Sequence, residues 1–550
     1  MDKIKITSLG GLGQTGALNC MLYETSDSAI IVDCGVAFAD NKLPGANVII
    51  PDFDFLNPVI EKLKAVFLTH GHEDHVGALP YLLKKIPLPV YATAFTRGIV
   101  HDKLEEFKLK DIKVRDLCYD TVTRIDDVSI EPIFVNHSIM DAAALIISAA
   151  DVSVLHCSDF KIDLSPPENR AIDLARFKRL GKEGLDLLML DSTNVMNKGH
   201  TNSELEVRAN LLDLFTKTDG RIIACLFSSN TFRLQSLFEC ARITGRKVAM
   251  TGRSLRDYFR IASSLGRIDV SGVDIYDVEE MDDFPDGEIL VITTGSQAEP
   301  RSVLSRMSRN MFRPFRIKEG DTVVMSSRMI PGNEGRIWEL LNNLSLLGAR
   351  VIHQPLADFI HASGHAKEDE LREIIRIVRP RYFIPIHGEH RSLKRHAEVA
   401  SEEGVKKKNC FVVLDGESLT LSKKGLFLTE QKEVGRKFIS ENPQYTITPA
   451  ALRKRSKMAW NGLVTVSLIY HNATSRVADS VRVSSEGIFG GDVEIEALDA
   501  LSGMLRALIK KQSNAERDKL EKFVTIEVRH FYKTHYQIRP EVVVLVHEVA

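Results

Sequence analysis

The segment THGHEDH, residues 69–75, concentrates side chains that bind metal ions. It places His70, His72, Asp74 and His75 within six positions. In an extended segment, residues two apart point the same way, so His70 and His72 can bind one ion, while Asp74 and His75 reach a second ion from the following turn. Imidazole and carboxylate together suit zinc, or manganese where oxygen ligands increase. The spacing therefore predicts a metal site rather than an accidental polar turn.

Three further ligand-type residues follow other apolar runs. His137 lies in FVNHSIMD, Asp159 in HCSDFKID and His387 in IPIHGE. Short buried strands that end in polar residues deliver those residues to one edge of a sheet. Asp159 is a candidate to bridge two ions with one oxygen on each. The sequence thus predicts a dinuclear site with seven ligands and open positions for water and substrate.

The pattern of predicted strands and helices that position these residues changes along the chain. Residues 1–195 indicate short strands followed by strand–helix units, and residues 196–358 alternate regularly between strand and helix. Residues 359–427 return to the histidine-rich pattern, so we predict that 196–358 is an insertion within one domain. Residues 428–457 are predicted as a linker, and 458–550 as a small α+β domain.

Composition and charge narrow the functional classes. The 550 residues carry a formal net charge of −2, which excludes a protein-wide basic coat, so a polyanion would have to bind a local patch. The seven cysteines include no C-x-x-C pair, which predicts reduced thiols in a cytoplasmic protein. No apolar run predicts a signal peptide or a membrane span, so we expect no membrane association.

Several motifs together carry a family resemblance. THGHEDH is similar to the signature of the metallo-β-lactamase superfamily, and LDSTN, HASGHA and PIHGE resemble motifs of its β-CASP subgroup, which acts on nucleic acids. PGANVIIPDFDFL, TGSQAEP and SSRMIPGNE appear in the order seen in the bacterial ribonuclease J family. The resemblance runs over essentially the whole chain. It implies an α/β fold: a metallo-β-lactamase αββα sandwich with an inserted β-CASP α/β domain and a small α+β C-terminal domain.

The resemblance also implies two zinc ions per chain, with Mn²⁺ or Mg²⁺ in place of or in addition to zinc. Three residues are assigned to the first ion, three to the second and one to both: His70, His72 and His137; Asp74, His75 and His387; and Asp159. Asp74, His365 and Asp191 are the catalytic candidates. His365 would donate a hydrogen bond or a proton, and Asp191 would orient a ligating imidazole. A bystander role for Asp191, capping the turn after its strand, stays open.

For the substrate, the resemblance implies single-stranded RNA. Ser363, Gly364 and His365 would contact the scissile or 5′-terminal phosphate, and Ser228 and Asn230 are candidates for a 5′-phosphate pocket. The family precedent implies 5′-to-3′ exonuclease activity favoured by a 5′-monophosphate, together with endonuclease activity. Both would leave 5′-phosphate and 3′-hydroxyl ends, in RNA maturation, rRNA processing and mRNA decay. HRSLKRH, RPRYF, KKK and RKRSK are local basic candidates for RNA contact, or else solvated faces.

The remaining expectations concern assembly. The resemblance implies a homodimer or homotetramer supported by residues 458–550, and RNA-degradation partners such as a helicase. The sequence departs from the family pattern at Gln14, Met140, Ser158 and Ala298. None of these positions is a predicted metal ligand, so the departures concern loop shape and substrate preference.

Three other functions stay open. A small-molecule hydrolase, such as a lactonase or thioesterase, shares the metal chemistry but has no need of the 160-residue insertion. A non-catalytic or weakly active partner subunit of a ribonuclease complex is expected to lose ligands, whereas all seven are present here. A β-CASP DNA nuclease would have the same motifs, and the sequence weighs little against it.

Overall fold

The computed structural model describes residues 3–39, 43–167, 170–330, 332–354, 360–471, 476–510 and 517–549. Contacts divide the chain into two compact units, which are Met1–Ala37 with Ile50–Gly435, and Phe38–Ile49 with Arg436–Ala550. Within the described ranges, the structure has no helix whose length and apolar character would suffice to cross a lipid bilayer.

Two sheets form the centre of the first unit. The strands of the first sheet, in spatial order, are Gly425–Gln431, Glu417–Ser422, Ile4–Gly10, Cys20–Glu24, Ala29–Val32, Leu63–Phe67, Val90–Ala92 and Val114–Asp116. Those of the second are Thr123–Ile125, Val128–Phe134, Ala143–Ala149, Val152–Cys157, Leu187–Asp191 and Tyr382–Ile386. Each sheet changes from antiparallel to parallel pairing along its width. A separate pair joins Leu12–Gly13 to Gly388–Glu389.

The main core lies between these two sheets. Ile30 and Phe67 of the first sheet and Leu145 and Met189 of the second are each no more than 1% exposed and belong to one apolar cluster. Both sheets therefore alternate residues between a shared core and an outer face, as antiparallel and mixed sheets with helices on their outer faces do.

Helices cover the outer faces. A second apolar cluster joins the outer face of the second sheet to the helices Leu174–Glu183, Glu368–Val378 and His390–Glu402. The helices Glu73–Val76, Leu79–Lys85 and Ala94–Glu106 follow strands of the first sheet, and a 3₁₀ helix spans Phe53–Lys62. Together these layers form the predicted αββα sandwich, so the predicted fold class is confirmed.

A third sheet is formed by the part of the chain that separates the two segments of the sandwich in sequence. All its strand pairs are parallel, in the order Ile275–Tyr276, Lys247–Thr251, Ile289–Thr293, Ile222–Cys225, Thr322–Met325 and Arg350–Ile352. Its helices are Glu204–Thr216, Thr231–Thr244, Arg253–Ser264, Val303–Met307 and Glu334–Leu346, with 3₁₀ turns at Val278–Asp283 and Asp286–Glu288. The sheet has its own apolar core. Because a parallel sheet is buried on both faces, its strands are continuous apolar runs such as ILVIT.

Two further sheets consist mainly of residues of the second unit. One has the strands Thr446–Ile447, Arg436–Ser440, Ala46–Pro51 and Ala37–Phe38, and the other has Arg476–Glu486, Leu463–His471 and Glu541–Val549. Its helices are Pro449–Asn461, Asp492–Lys510 and Arg517–Tyr536. Leu501 and Leu505 of the helix Asp492–Lys510 are buried in the core of this unit.

The structure shows regular secondary structure in the segment that was predicted as a linker. Residues 428–457, predicted as a linker, contain the strands Arg436–Ser440 and Thr446–Ile447 and most of the helix Pro449–Asn461. The helix begins at a side-chain cap, since the Thr448 hydroxyl accepts a hydrogen bond from the Ala451 N–H. The predicted boundary between 358 and 359 lies outside the described residues.

Candidate metal centre

Three histidines form the first half of the centre. His70 and His72 follow the strand Leu63–Phe67, and His137 follows Val128–Phe134 on the other sheet. Nδ1 of His72 lies 3.1 Å from Nε2 of His70 and 3.0 Å from Nε2 of His137. Two nitrogens bound tetrahedrally to one zinc ion at the usual bond length lie about 3.4 Å apart. The two measured separations are close to this value, so the three nitrogens can bind a single ion.

A carboxylate and two histidines form the second half. Oδ2 of Asp74 lies 3.5 Å from Nε2 of His75 and 3.2 Å from Nε2 of His387. Asp74 and His75 belong to the short helix Glu73–Val76, whereas His387 follows the strand Tyr382–Ile386, more than 300 residues later. These donors also lie at the separations found around one ion.

The carboxylate of Asp159 lies between the two groups. Its Oδ2 faces His70 and His137, whose Nε2 atoms are 3.5 and 3.4 Å away. Its Oδ1 faces His75 and His387, whose Nε2 atoms are 3.3 and 3.5 Å away. One oxygen is thus directed to each group. In each group of four, the donor atoms lie within 4.8 Å of one another, so all seven residues predicted as ligands come together.

Close backbone packing supports the turn that carries Asp74 and His75. The Cys34 N–H donates to the His75 carbonyl and the Val36 N–H donates to the Glu73 carbonyl. A Cβ on Gly35 would lie 1.6 Å from the Asp74 carbonyl oxygen. Only glycine permits this approach, which explains why a glycine follows the apolar strand at this point.

Hydrogen bonds behind the ligands orient their rings. His75 donates from Nδ1 to Oδ2 of Asp33 at 2.7 Å, and His137 donates from Nδ1 to the Gly364 carbonyl at 2.6 Å. The Thr193 hydroxyl lies 2.7 Å from Nδ1 of His387. Bonds of this kind fix the tautomer and leave Nε2 directed to the metal. His387 itself has a φ of 53°, a strained value for a residue with a side chain.

The sequence reasoning missed Asp33, Thr193 and Asn19 as members of this centre. The Asn19 side-chain amide lies 3.0 Å from Nε2 of His75 and 3.2 Å from Oδ2 of Asp74. Asp33 gave the clearest signal, because it ends the buried apolar run AIIV in the same way as Asp159 and Asp191 end theirs. Nothing in the local sequence distinguishes Asn19 from an ordinary turn residue.

Asp191 joins two histidines through its two oxygens. Oδ2 accepts a hydrogen bond from Nδ1 of His365 at 2.8 Å, and Oδ1 lies 3.3 Å from Nδ1 of His387. Oδ1 also accepts from the N–H and the hydroxyl of Thr193. The geometry thus combines the two alternatives left open by the sequence, since the same carboxylate caps the turn and orients the imidazoles.

His365 lies beside the ligands but is more accessible than they are. Its ring stacks on that of His387 with centroids 5.5 Å apart, and its Nε2 is 3.8 Å from Oδ2 of Asp159. The His365 side chain is 20% exposed, whereas that of His387 is 2% exposed. With Nδ1 bound to Asp191, Nε2 is the nitrogen that a substrate entering from solvent would meet.

The neighbours of His365 in HASGHA hold the site together. Besides accepting from His137, Gly364 lies so close to that ring that a Cβ would be 2.7 Å from its Cε1 atom. The Ser363 hydroxyl accepts a hydrogen bond from the Asn194 amide at 2.8 Å, and the same amide donates to the His365 carbonyl at 2.9 Å. Gly364 and Ser363 therefore have structural contacts in addition to any contact with phosphate.

The buried carboxylate of Glu370 ties two loops of the centre to the start of its own helix. Its Oε1 accepts from the N–H of Ile162, three residues after Asp159, at 2.8 Å. Its Oε2 accepts from the N–H groups of Thr201 and Lys367, at 2.7 and 2.9 Å. A buried carboxylate that accepts from three N–H groups fixes the relative positions of the backbone segments that donate to it.

Ser228 and Asn230, the candidates for a 5′-phosphate pocket, lie at the end of the strand Ile222–Cys225 in the inserted sheet. Ser228 is half-buried, whereas Asn230 is 1% exposed and caps the helix Thr231–Thr244 by accepting from the Arg233 N–H. Within the described ranges, neither side chain contacts a predicted metal ligand.

Burial keeps the first group of histidines neutral. Removal from water lowers the pKa of His72 to about 4, and it lowers the pKa of His70 and His137 well below the usual histidine range. A neutral imidazole has a lone pair for a metal ion at neutral pH, so these three residues need lose no proton to bind one.

Nearby carboxylates determine the pKa values of the histidines in the second group. Burial by itself would lower the pKa of His75, but Asp159, Asp74 and Asp33 raise it to about 10. The pKa of His387 is raised for the same reason, chiefly by Asp159 and by hydrogen bonding to Asp191. This concentration of negative charge attracts cations, and a metal ion would replace the protons on these rings.

Comparisons with known families agree with this geometry. Four family models match, in chain order: the metallo-beta-lactamase superfamily at residues 13–148; the ribonuclease J beta-CASP domain at 219–344; the Zn-dependent metallo-hydrolase RNA specificity domain at 348–413; and the ribonuclease J C-terminal domain at 450–549. Every predicted ligand except Asp159 lies inside one of these matches.

Relatives and a solved structure extend the comparison. Ribonuclease J of Helicobacter pylori (strain 26695) is 35% identical over 93% of this chain and 74% of its own length. Ribonuclease J of Thermus thermophilus is 34% identical over 92% of this chain and 89% of its own. A crystal structure of a protein of unknown function from Enterococcus faecalis V583 matches with a TM-score of 0.52 and 16% identity, over 76% of this chain and all of that one, and shows the fold alone. The chain belongs to the ribonuclease J family.

Proposed function

We propose that this protein is a ribonuclease that hydrolyses RNA phosphodiester bonds with two zinc ions. The observation that carries the proposal is the Asp159 carboxylate, which directs one oxygen to each of two groups of ligands. Two adjacent ions can contact both the attacking and the leaving oxygen of a phosphodiester, so this arrangement suits in-line displacement at phosphorus.

The donor set supports zinc for both positions. Imidazole predominates in the first group, and the donor separations of 3.0–3.5 Å fit tetrahedral coordination. The second group has more oxygen donors, so Mn²⁺ or Mg²⁺ could replace zinc there or act in addition. When bound, the two ions would lower the pKa of water from about 15.7 towards about 7 and would neutralise charge on the phosphate oxygens.

The side chains of the centre have distinct roles in this proposal. Asp74, the more accessible carboxylate of the second group, would hold the second ion and position the attacking water. His365 would donate a hydrogen bond to the phosphate or a proton to the leaving 3′-oxygen through Nε2. Asp191 would keep His365 in the required orientation and tautomer through the 2.8 Å bond to its Nδ1.

RNA is the proposed substrate because the relatives are named ribonuclease J and the RNA specificity domain model matches residues 348–413. Ser363, Gly364 and His365 would contact the reacting or 5′-terminal phosphate, with Ser228 and Asn230 in the 5′-phosphate pocket. The activity would be 5′-to-3′ exonucleolytic, favoured by a 5′-monophosphate, and also endonucleolytic on single strands.

The setting of this activity is also a proposal. The protein would act in the cytoplasm in RNA maturation and mRNA decay, as a homodimer or homotetramer, together with RNA-degradation partners such as a helicase. In domain terms, residues 1–195 and 359–427 would form the catalytic domain, 196–358 the inserted domain, 428–457 the connection and 458–550 the oligomerisation domain. Removing 458–550 should therefore change the oligomeric state, measurable by light scattering, before it affects metal content.

The decisive experiment uses single-stranded RNA labelled at one end. The purified protein is incubated with RNA bearing a 5′-monophosphate or a 5′-triphosphate, with and without a chelator, and beside a DNA of the same sequence. We expect faster cleavage of the monophosphate form, no cleavage with the chelator and little cleavage of DNA. Full cleavage after removal of the metal would refute the metal mechanism.

The same assay separates the competing functions. Preferred cleavage of DNA would identify a DNA nuclease, and turnover of a thioester without RNA cleavage would identify a small-molecule hydrolase. Purified protein without bound metal or activity would identify a non-catalytic partner subunit. The complete set of converging ligands favours the ribonuclease over that last alternative.

A further inference from the structure

The segment 300–316 of the inserted domain has an unusual charge. It contains five arginines and no acidic residue, in a chain whose formal net charge is −2. Arg306, Arg309 and Arg313 are exposed, and they lie beside Met311, whose side chain is 62% exposed. These three arginines form what we call the arginine surface.

Backbone carbonyls and an aromatic ring hold two of these side chains in place. The Arg306 guanidinium lies 5.3 Å from the centroid of the Phe312 ring and donates to the Met311 carbonyl. Arg309 donates from Nε to the Ser305 carbonyl at 3.0 Å and from Nη2 to the Pro300 carbonyl at 2.8 Å. Within the described part of the chain, no carboxylate forms an ion pair with any member of the arginine surface. Arg306 and Arg309 are therefore held in place, and among the described residues no carboxylate neutralises any of the three charges.

Another basic region of the first unit shows the opposite arrangement. The HRSLKRH segment was a sequence candidate for RNA contact, but Arg395 donates to Glu368 at 3.0 Å and to Glu402 at 2.9 Å. Arg372 on the neighbouring helix also donates to Glu368. These guanidinium groups are engaged in joining two helices, so they have little capacity left for a polyanion. The comparison selects the arginine surface as the better candidate.

A series of hydrogen bonds leads from the backbone behind His365 to the loop that precedes the arginine surface. Asn194, which donates to the His365 carbonyl, accepts from Nη1 of Arg328 at 3.0 Å. The Arg328 carbonyl accepts from the Gln297 amide at 2.9 Å. Gln297 is separated by at most about 11 Å of extended chain from Pro300, the residue that Arg309 contacts. The arginine surface therefore follows, in the chain, a loop that is hydrogen-bonded to the residues behind His365.

We propose that the arginine surface binds the phosphate backbone of single-stranded RNA beyond the nucleotides that enter the metal centre. This proposal rests on the proposed ribonuclease function. Ordered guanidinium groups bind phosphate through charge-assisted bonds, and the exposed Met311 side chain offers an apolar contact for a base. Such contacts are independent of base sequence and depend strongly on salt. The surface would thus increase affinity for long RNA without participating in the chemical step.

The test compares two triple variants of the full-length protein. R306Q/R309Q/R313Q removes the arginine surface, and K178Q/R179Q/K182Q removes the same charge from exposed positions on the helix Leu174–Glu183. Binding of RNAs of about 4 and about 16 nucleotides is measured by fluorescence anisotropy at several salt concentrations. Cleavage of both RNAs is measured in parallel.

For the first variant, we expect about tenfold weaker binding of the long RNA and a salt dependence reduced by about 2 in slope, since each lost phosphate contact removes about 0.7. Binding and kcat for the short RNA should not change, and the control variant should behave as the wild type. R306K/R309K/R313K keeps the charge and should retain most of the salt dependence, which guards against a folding defect in the glutamine variant.

Equal losses in the first variant and the control, or no loss in either, would overturn the proposal. Binding of an acidic polypeptide in preference to RNA at the same arginines would also overturn it and identify a protein partner. A specific loss of long-RNA binding without cleavage by the wild type would support the surface while refuting the proposed ribonuclease function. The two proposals can therefore fail separately.

Discussion

The two ligand groups share Asp159 but differ in the residues behind them. In the first group, His137 donates to the carbonyl of Gly364 and Nδ1 of His70 lies 3.0 Å from the Thr69 hydroxyl. In the second group, His75 donates to the carboxylate of Asp33. A carbonyl and a hydroxyl thus support the first group, whereas a carboxylate lies behind each histidine of the second, together with the Thr193 hydroxyl at His387.

This difference has consequences for metal binding. A carboxylate hydrogen-bonded to an imidazole makes it a more basic ligand, and direct oxygen ligands favour harder ions. The second group contains Asp74 as a direct donor and has Asp33 and Asp191 behind its histidines. We therefore expect the second group to bind its ion more tightly and to accept manganese or magnesium more readily than the first.

The largest effect is expected for Asp159→Ala, because Asp159 belongs to both groups. Mutating a residue that only hydrogen-bonds to a metal ligand typically lowers metal affinity or activity by about 10–100-fold. Loss of this shared ligand itself should therefore lower RNA hydrolysis by more than about 100-fold. Elemental analysis should also show the loss of at least one ion per chain. Asp127→Ala, at an exposed position, is the matched control and should retain both ions. An Asp159→Ala protein with full metal content would refute the bridging role.

His72→Ala removes a ligand from the first group only. Hydrolysis should again fall by more than about 100-fold, but the second group should keep its ion, giving about one ion per chain by elemental analysis. The fold should be nearly intact, as judged by circular dichroism. His101→Ala, at an exposed helix position, serves as the control. Undiminished hydrolysis in His72→Ala would contradict the assignment of the site.

Asp33→Asn tests the carboxylate support of the second group. It keeps the shape of the side chain but removes the charge that His75 contacts, so metal affinity of the second group should fall by about 10–100-fold. A calorimetric titration of metal-free protein should show the tighter of two binding steps weakened more than the weaker step, because Asp33 reaches the first group only through the Thr69 hydroxyl. If both steps shifted equally, the two groups would not be independent in the way that the geometry implies.

Gly364→Ala tests the corresponding support of the first group, with a smaller expected effect. The added Cβ would lie 2.7 Å from Cε1 of His137, so the ring must shift, at a cost of about 1–3 kcal/mol. The first group should lose affinity for its ion by roughly tenfold or more, with the second group unaffected in the same titration. Gly335→Ala, whose Cβ would meet nothing within 4 Å, is the control. Equal behaviour of the two variants would show that the contact with His137 has no functional role.

The metal ligands were predictable from the sequence to an unusual degree. The spacing of His70, His72, Asp74 and His75 indicates metal binding without any tertiary information, because the four residues are close together in the chain. His137, Asp159 and His387 were found because each ends a buried apolar strand. Asp33 has the same signature but was not selected, since a single aspartate after a strand also occurs in ordinary turns.

The basic residues show a question that the sequence leaves open. HRSLKRH and the segment 300–316 are both rich in positive charge, and only contacts distinguish them. Glu368 and Glu402 neutralise Arg395, whereas backbone carbonyls hold Arg309. A guanidinium group has the same composition in both cases, so its availability for a ligand depends on which side chains the fold brings within about 4 Å.

The sequence by itself establishes which side chains can bind metal and which apolar strands carry them. It also establishes where the regular strand–helix alternation of the inserted domain begins. All of these features depend on short-range spacing along the chain. Only the folded structure establishes which oxygen of Asp159 faces which group, that Asp191 joins His365 to His387, and that Glu370 ties two loops to the start of its own helix. Those relations join residues up to about 200 positions apart, and they follow from strand order and register, which local sequence patterns do not encode.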